Sequence, residues 1–214
     1  MKRAAPPRIY VLAGVNGAGK SSIGGASFRG FGGDYFNPDE AARALIAANR
    51  GLDPGQASGL AWARGRELLE RAIAGRLDFA LETTLGGNTI PRLLREAAAK
   101  GIEVRIWYVG LASVELHIAR VRARVRRGGH DIPEEAIRRR YQHSRLNLIE
   151  LLPHLAALRV HDNSADGDPA EGKLPAPALV LHMKGRTILN AAHLPKTPDW
   201  AKPVVAAALR LTRP

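Results

Sequence analysis

Apolar residues fall in short blocks separated by longer amphipathic stretches. Arg8 to Ala13 (RIYVLA) is a compact apolar run closed by Gly14, the pattern of a strand buried on both faces. Asp34-Tyr35-Phe36, Asp78 to Glu82 (DFALE), Glu103 to Leu111 (EVRIWYVGL) and Leu158 to His161 read as four more strands. Helical signals fill the intervals. Asn37-Pro38-Asp39-Glu40 opens one helix, with proline in its first turn, and Leu60, Arg64, Leu68 and Leu69 recur at helical spacing over 56–75. A polar turn at Thr83, Thr84, Gly86, Gly87 and Asn88 leads into a helix ending at Lys100, with Gly101 as its C-cap signal. Ser113 caps a helix whose Val114, Ile118, Val121 and Val125 form one stripe; after Gly128-Gly129-His130-Asp131, Pro133 restarts a helix to about Leu152.

Strands alternating with helices predict an α/β fold with a five-stranded, mostly parallel sheet flanked by helices. Residues 164–177 read as a loop, Leu179–Met183 and Arg186–Leu189 as a small hairpin around Lys184-Gly185, and 199–211 as a last helix. The expected organisation is a single domain over 1–214. Its core covers about 8–164, a helical lid about 113–152, and the hairpin and helix about 178–211.

At 214 residues with 45% apolar and 24% charged positions, the chain can bury a core, and it has no cysteine, which removes thiol nucleophiles, cysteine zinc sites and disulfides. No H-E-x-x-H pair occurs among the seven histidines, so a zinc site is not supported. No apolar run approaches the ~18–20 residues of a membrane span, and Met1 to Pro7 lacks the apolar core of a signal peptide, so the expected location is cytoplasmic with no membrane partner. The net charge of +12 points to an anionic substrate or partner. Nine of the 25 arginines lie between Arg120 and Arg145, against only Asp131, Glu134 and Glu135. Aromatic residues make up 5% of the chain and Tyr141 alone falls in that segment, which argues against a nucleic-acid surface.

Gly14-Val15-Asn16-Gly17-Ala18-Gly19-Lys20-Ser21, followed by Ser22, fits G-x-x-x-x-G-K-[ST] between a strand and a helix start. Backbone N–H groups of such a loop point at a polyphosphate, Lys20 reaches the outer phosphates, and the Ser21 hydroxyl can hold Mg²⁺. The expected ligands are ATP or GTP with Mg²⁺. No D-x-x-G or N-K-x-D motif marks a GTPase, and no apolar strand ending in Asp-Glu marks a transport or motor ATPase. What remains reads as a small-molecule kinase. Asp39, just beyond the second strand, is the candidate base or else a complement to its helix dipole, with Asp34 and Glu40 as fallbacks. Glu82 is a candidate for a substrate hydroxyl or a Mg²⁺-bound water. Thr83 and Thr84 either bind substrate oxygens or cap the next helix. Arg120, Arg124 and Arg127 share one helix face, while Arg138, Arg139 and Arg140 diverge, so only one or two of those three can reach a single site. His130 either binds a phosphate or caps a helix.

The segments GVNGAGKSS, NPDEAA, LETTL, YVGL, RVRARVRRGGHDIPEEAIRRRYQHSRLNL and HDNS together resemble the small chromosomal branch of the zeta toxin family, from about Arg8 to Ser164. The resemblance implies a P-loop kinase that transfers phosphate from ATP to a hydroxyl of a small nucleotide-linked metabolite, most often UDP-N-acetylglucosamine, and an acidic antitoxin as partner. It implies Lys20 and Ser21 as phosphate and Mg²⁺ ligands, Asp39 as base, and Glu82 and Thr84 as substrate contacts. Arg120 or Arg124 with one of Arg138–Arg140, represented by Arg139, would clamp phosphate, and Asp162, Asn163 and Ser164 would lie near the adenine. Two other readings follow from the residues: a P-loop ATPase or nucleotide-dependent interaction module, and a polynucleotide 5′-hydroxyl kinase.

Overall fold

The computed structural model describes residues 5–20, 34–165 and 177–212. Ser21, Ser22, the glycine-rich stretch 24–33 and most of the 164–177 loop lie outside the described residues.

Seven strands form one sheet: β1 (Arg8–Ala13), β2 (Asp34–Phe36), β3 (Phe79–Thr83), β4 (Glu103–Gly110), β5 (Ala157–Asp162), β6 (Ala178–Lys184) and β7 (Thr187–Ala191), in the spatial order β2-β3-β1-β4-β5-β6-β7. The first five run parallel, and β6 and β7 add antiparallel strands. The α-helices that lie wholly within the described residues are α1 (Pro38–Ala48), α2 (Pro54–Gly75), α3 (Thr89–Ala99), α4 (Val114–Val125), α5 (Glu134–Leu151) and α6 (Lys202–Thr212).

The expected five-stranded sheet with a small attached hairpin is corrected by β6 and β7. The hairpin continues the sheet, because β6 pairs with β5 along Ala157–Asp162 and satisfies the backbone groups that the β5 edge would otherwise expose. Val180, Leu181 and Met183 of β6 are buried, as are Val204, Val205 and Ala208 of α6 and Trp200 ahead of it, so the end of the chain belongs to the main core.

The chain steps from β1 outward to β2 on one side and from β4 to β5 on the other, so the order reverses at the central pair β1 and β4. In open α/β sheets a crevice forms beyond the carboxyl ends of the strands at such a reversal. Parallel register carries specific residues there together: Leu12 pairs with Glu82, Ala13 with Thr83 and Tyr108, and Phe36 with Leu81. Asp34, at the amino end of β2, enters the strand far from that edge.

Candidate active site

β1 ends in the phosphate loop. Gly14, Gly17 and Gly19 all have positive φ, at 143°, 83° and 83°. Neither Gly14 nor Gly17 admits a side chain, since a Cβ would stand 2.2 Å from the carbonyl oxygen of Val109 in the first case and 2.6 Å from that of His117 in the second. Such a run of left-handed glycines turns successive N–H groups toward one centre, an anion cradle. Lys20 is 8% exposed, with its Nζ 3.5 Å from Glu82 Oε1. The Glu82 Oε2 accepts from the Tyr35 hydroxyl at 2.9 Å and from Asn37 Nδ2 at 3.2 Å.

Asn37 joins two parts of the site. Its Oδ1 accepts from the backbone N–H groups of Asp39 (2.9 Å) and Glu40 (3.3 Å), so the carboxamide caps α1 while its amide end holds Glu82. Asp39 and Glu40 lie in the first turn of α1, where their charges also complement its dipole. The Asp39 carboxylate, 46% exposed, lies along the cleft described below, with Oδ2 3.8 Å from Arg124 Nη1. Glu40 is exposed and does not line that cleft.

The turn after β3 is shaped by its own hydroxyls. Thr83 Oγ1 accepts from Leu85 N–H and Thr84 Oγ1 from Gly86 N–H, while α3 begins at Asn88 with no side-chain cap, so neither threonine caps that helix. Leu85 is held at φ 52°, an uncommon conformation for a branched residue. Helix α5 secures it: Ser144 Oγ donates to Thr84 O at 2.6 Å, and Asn147 Nδ2 donates to the carbonyls of Leu85 (2.6 Å) and Gly87 (3.0 Å). Ser144 and Asn147 are buried polar residues that read in the sequence only as ordinary helical positions.

The arginine segment divides by direction. Arg140 Nη1 donates to Asn16 Oδ1 of the phosphate loop at 2.8 Å, and Arg139 and Arg140 both line the cleft. Burial, with Arg139 alongside, holds the Arg140 guanidinium below its ordinary value, and Asp39 partly offsets this. Arg124 Nη2 donates to His130 O at 2.8 Å, closing the Gly128–Asp131 turn over Asp39. Arg120 Nη1 donates to Asn163 O at 2.9 Å. Arg122 and Arg138 point outward, paired with Glu134 and Glu115, and Arg126 and Arg127 are exposed. His130 lines the cleft, with Nε2 3.4 Å from Ser58 Oγ.

Asp162 and Asn163 do not line the cleft, and Asn163 is tied to the phosphate loop. Asn163 Nδ2 donates to Ala18 O at 2.9 Å, and Asp162 Oδ1 accepts from Trp200 Nε1 at 2.9 Å and from Ser164 Oγ at 2.5 Å. His117, passed over in the sequence as one of several scattered histidines, donates Nδ1–H to Asn16 O from a buried position on α4.

Asn16, Lys20, Asp39, Glu82, Thr83, Thr84, His130, Arg139 and Arg140 thus border one cleft of about 410 Å³, closed on its far side by Phe36, Ser58, Trp62 and Arg66. That wall, from β2 and α2, carried no functional signal in the sequence. Among the described residues no group of three or more His, Cys, Asp or Glu side chains forms a metal cage, and no helix is long and apolar enough to cross a membrane.

The family profile described as Zeta toxin matches residues 1–164. An uncharacterised protein of Haemophilus influenzae is 33% identical over 132 residues, which cover 60% of this chain and 88% of that one. The AvrRxo1-ORF1:-ORF2 complex with ATP contains a chain of the same fold at TM-score 0.64 and 15% identity, covering 96% of this chain; this chain spans only 64% of it. The PezAT chromosomal toxin–antitoxin system of Streptococcus pneumoniae gives TM-score 0.52 and 19% identity over 82% of this chain and 77% of that one.

Proposed function

Because the chain belongs to the zeta toxin family, we propose that it is an ATP-dependent kinase that phosphorylates a hydroxyl of a small, nucleotide-linked anion. The observation that carries this reading is the convergence of Lys20, Asp39, Arg139 and Arg140 on one cleft beyond the carboxyl edge of the sheet. A volume of about 410 Å³ suits a small-molecule ligand. A UDP-sugar such as UDP-N-acetylglucosamine is the acceptor that the family favours.

In this reading the amides from Gly14 to Lys20 cradle the β- and γ-phosphates of ATP, and Lys20 moves its contact from Glu82 toward them. The acceptor hydroxyl gives its proton to the Asp39 carboxylate as its oxygen bonds to the γ-phosphorus. The bond from phosphorus to the bridging oxygen breaks, and its electron pair leaves with ADP. Charge in the transition state spreads over the equatorial oxygens, and preorganised cations around them lower its energy. Arg139 and Arg140 supply those cations, with Arg124 above Asp39 and Arg120 behind. Glu82, Thr83, Thr84 and His130 would position the acceptor, Asn163 supports the donor loop through Ala18, and Asp162, Asn163 and Ser164 would lie near the adenine.

Mg²⁺ fits the residues present. It is commonly held by substrate phosphates with only one or two protein ligands, so the lack of a carboxylate cage among the described residues accords with it. Ser21, outside the described residues, is its sequence-predicted ligand, with Glu82 within reach through water. The ion would neutralise charge on the phosphates. An acidic antitoxin is the partner that this reading adds, supported by the net charge of +12.

Incubation with ATP, Mg²⁺ and a panel of UDP-sugars, dinucleotides and oligonucleotide 5′-hydroxyls, followed by mass spectrometry, tests the proposal. The expected result is one small nucleotide-linked acceptor gaining a phosphoryl group. Hydrolysis of ATP with no acceptor modified would replace the kinase with an ATPase.

A further inference from the structure

Helix α2 has two faces with different duties. Ala57, Ala61, Leu69 and Ala72 are buried, and Ala57 and Ala61 pack with Ala42 of α1. Ser58, Trp62, Gly65 and Arg66, at i, i+4, i+7 and i+8, instead line the cleft. Trp62 remains 47% exposed there. It is the one tryptophan among the described residues lining the cleft, so an indole surface is open to whatever enters there.

The surroundings of Trp62 define what it can receive. The Arg66 guanidinium carbon lies 5.6 Å from the indole centroid and is itself held by Glu70 at 3.8 Å, so a cation braces the ring. Beside it on the cleft wall, Gly65 lets the Phe36 ring approach so closely that a Cβ would stand 2.6 Å from it. Arg139 and Arg140 line the same cleft. The α2 wall offers an aromatic plane, one hydroxyl and one cation. It presents to the cleft none of the carboxylates or carboxamides with which sugar hydroxyls are usually paired.

Resting on the kinase reading above, we infer that Trp62, braced by Arg66, is the platform on which a nucleobase of the acceptor stacks. Every nucleobase has a π-face, and stacking on an aromatic side chain is a large, sequence-tolerant part of its binding. Trp62 thereby selects base-bearing acceptors over bare sugar phosphates.

The test is calorimetry on the whole chain with its donor loop already filled by Mg²⁺ and a non-hydrolysable ATP analogue. UMP, AMP, ribose 5-phosphate and N-acetylglucosamine 1-phosphate are titrated into wild type, Trp62→Ala and Trp62→Phe. At least one of the two nucleotides is expected to bind wild type and to weaken about tenfold or more in Trp62→Ala. Trp62→Phe should recover most of that loss, and ribose 5-phosphate should respond little. Equal weakening of ribose 5-phosphate, a loss confined to the N-acetylglucosamine ester, unchanged nucleotide affinity, or no nucleotide binding to the filled wild type would each overturn the inference. Affinity for the ATP analogue, read in the same experiment, reports folding; where Trp62→Ala loses it, Trp62→Phe and Trp62→Leu carry the comparison. Failure of the kinase reading shows elsewhere, as wild type that binds the analogue but transfers no phosphate.

Discussion

The ring of His117 donates its Nδ1–H to the main-chain carbonyl of Asn16 across 2.8 Å, tying helix α4 to the phosphate loop. The ring is 1% exposed and sits edge-on to Tyr141, with centroids 5.5 Å apart. Burial pushes its pKa down to about 4; the Asn16 hydrogen bond opposes that shift, and Lys20, Arg120 and Arg145 add to it. The lid and the loop are thus joined through a histidine that must stay neutral.

A pH dependence of stability follows. The folded pKa lies below the unfolded value of about 6.5, so between those values the unfolded chain binds more protons. The stabilisation is complete above that unfolded pKa and is lost as the pH falls toward 4. The shift corresponds to roughly 3 kcal/mol. Thermal melts from pH 7.5 to pH 4 should show a fall in Tm that is shallower in His117→Gln; identical slopes would remove His117 from this role.

Gly17→Ala should damage the donor loop selectively. The new Cβ would meet the His117 carbonyl oxygen at 2.6 Å, and φ of 83° is strained for alanine. A cost of about 1–3 kcal/mol in stability is expected, together with weaker ATP binding by calorimetry. Unchanged ATP affinity would show that the loop does not need its present path.

Glu82→Gln tests the resting partner of Lys20. Both side chains are buried, and removing one charge of such a pair costs about 3 kcal/mol or more. Bound ATP brings new negative charge to Lys20, so the rise in Tm on adding ATP should be larger in Glu82→Gln than in wild type. An equal rise would mean that Lys20 does not exchange Glu82 for phosphate.

The two faces of the arginine segment should separate in kinetics. Arg140, which reaches Asn16 from within the cleft, is expected to lower kcat about a hundredfold when changed to alanine. Arg138, held outside by Glu115, should change it less than about twofold, as expected for an exposed ion pair. Steady-state rates for both variants decide this, and a similar loss in each would contradict the assignment by direction.

How far the sequence was legible depended on how local each signal was. The phosphate loop and β1 were readable because strand, glycines, Lys20 and helix start are contiguous. The pairing of β6 with β5 was not, since a hairpin carries no local sign of which edge it will join. Among the arginines, helical spacing separated Arg124 from Arg122 but left Arg138, Arg139 and Arg140 unranked, because ranking them needs the position of Asn16 across the fold. Trp62 was lost within a helix whose buried positions are half alanine and whose cleft face mixes serine, tryptophan, glycine and arginine, with no apolar stripe to mark it. His117, Ser144 and Asn147 each serve a backbone carbonyl more than 50 residues away in sequence, a relation no periodicity records.

Asp39 carries the central claim, and single-turnover transfer from γ-labelled ATP tests it. Wild type and Asp39→Asn are compared on the acceptor found in the panel, with nucleotide affinity measured in parallel. A carboxamide keeps the shape of the side chain but cannot take the hydroxyl proton, and loss of a general base lowers rates by roughly 10²–10⁴. The account predicts that Asp39→Asn binds ATP like wild type and transfers at least about a hundredfold more slowly. Transfer at the wild-type rate would contradict it.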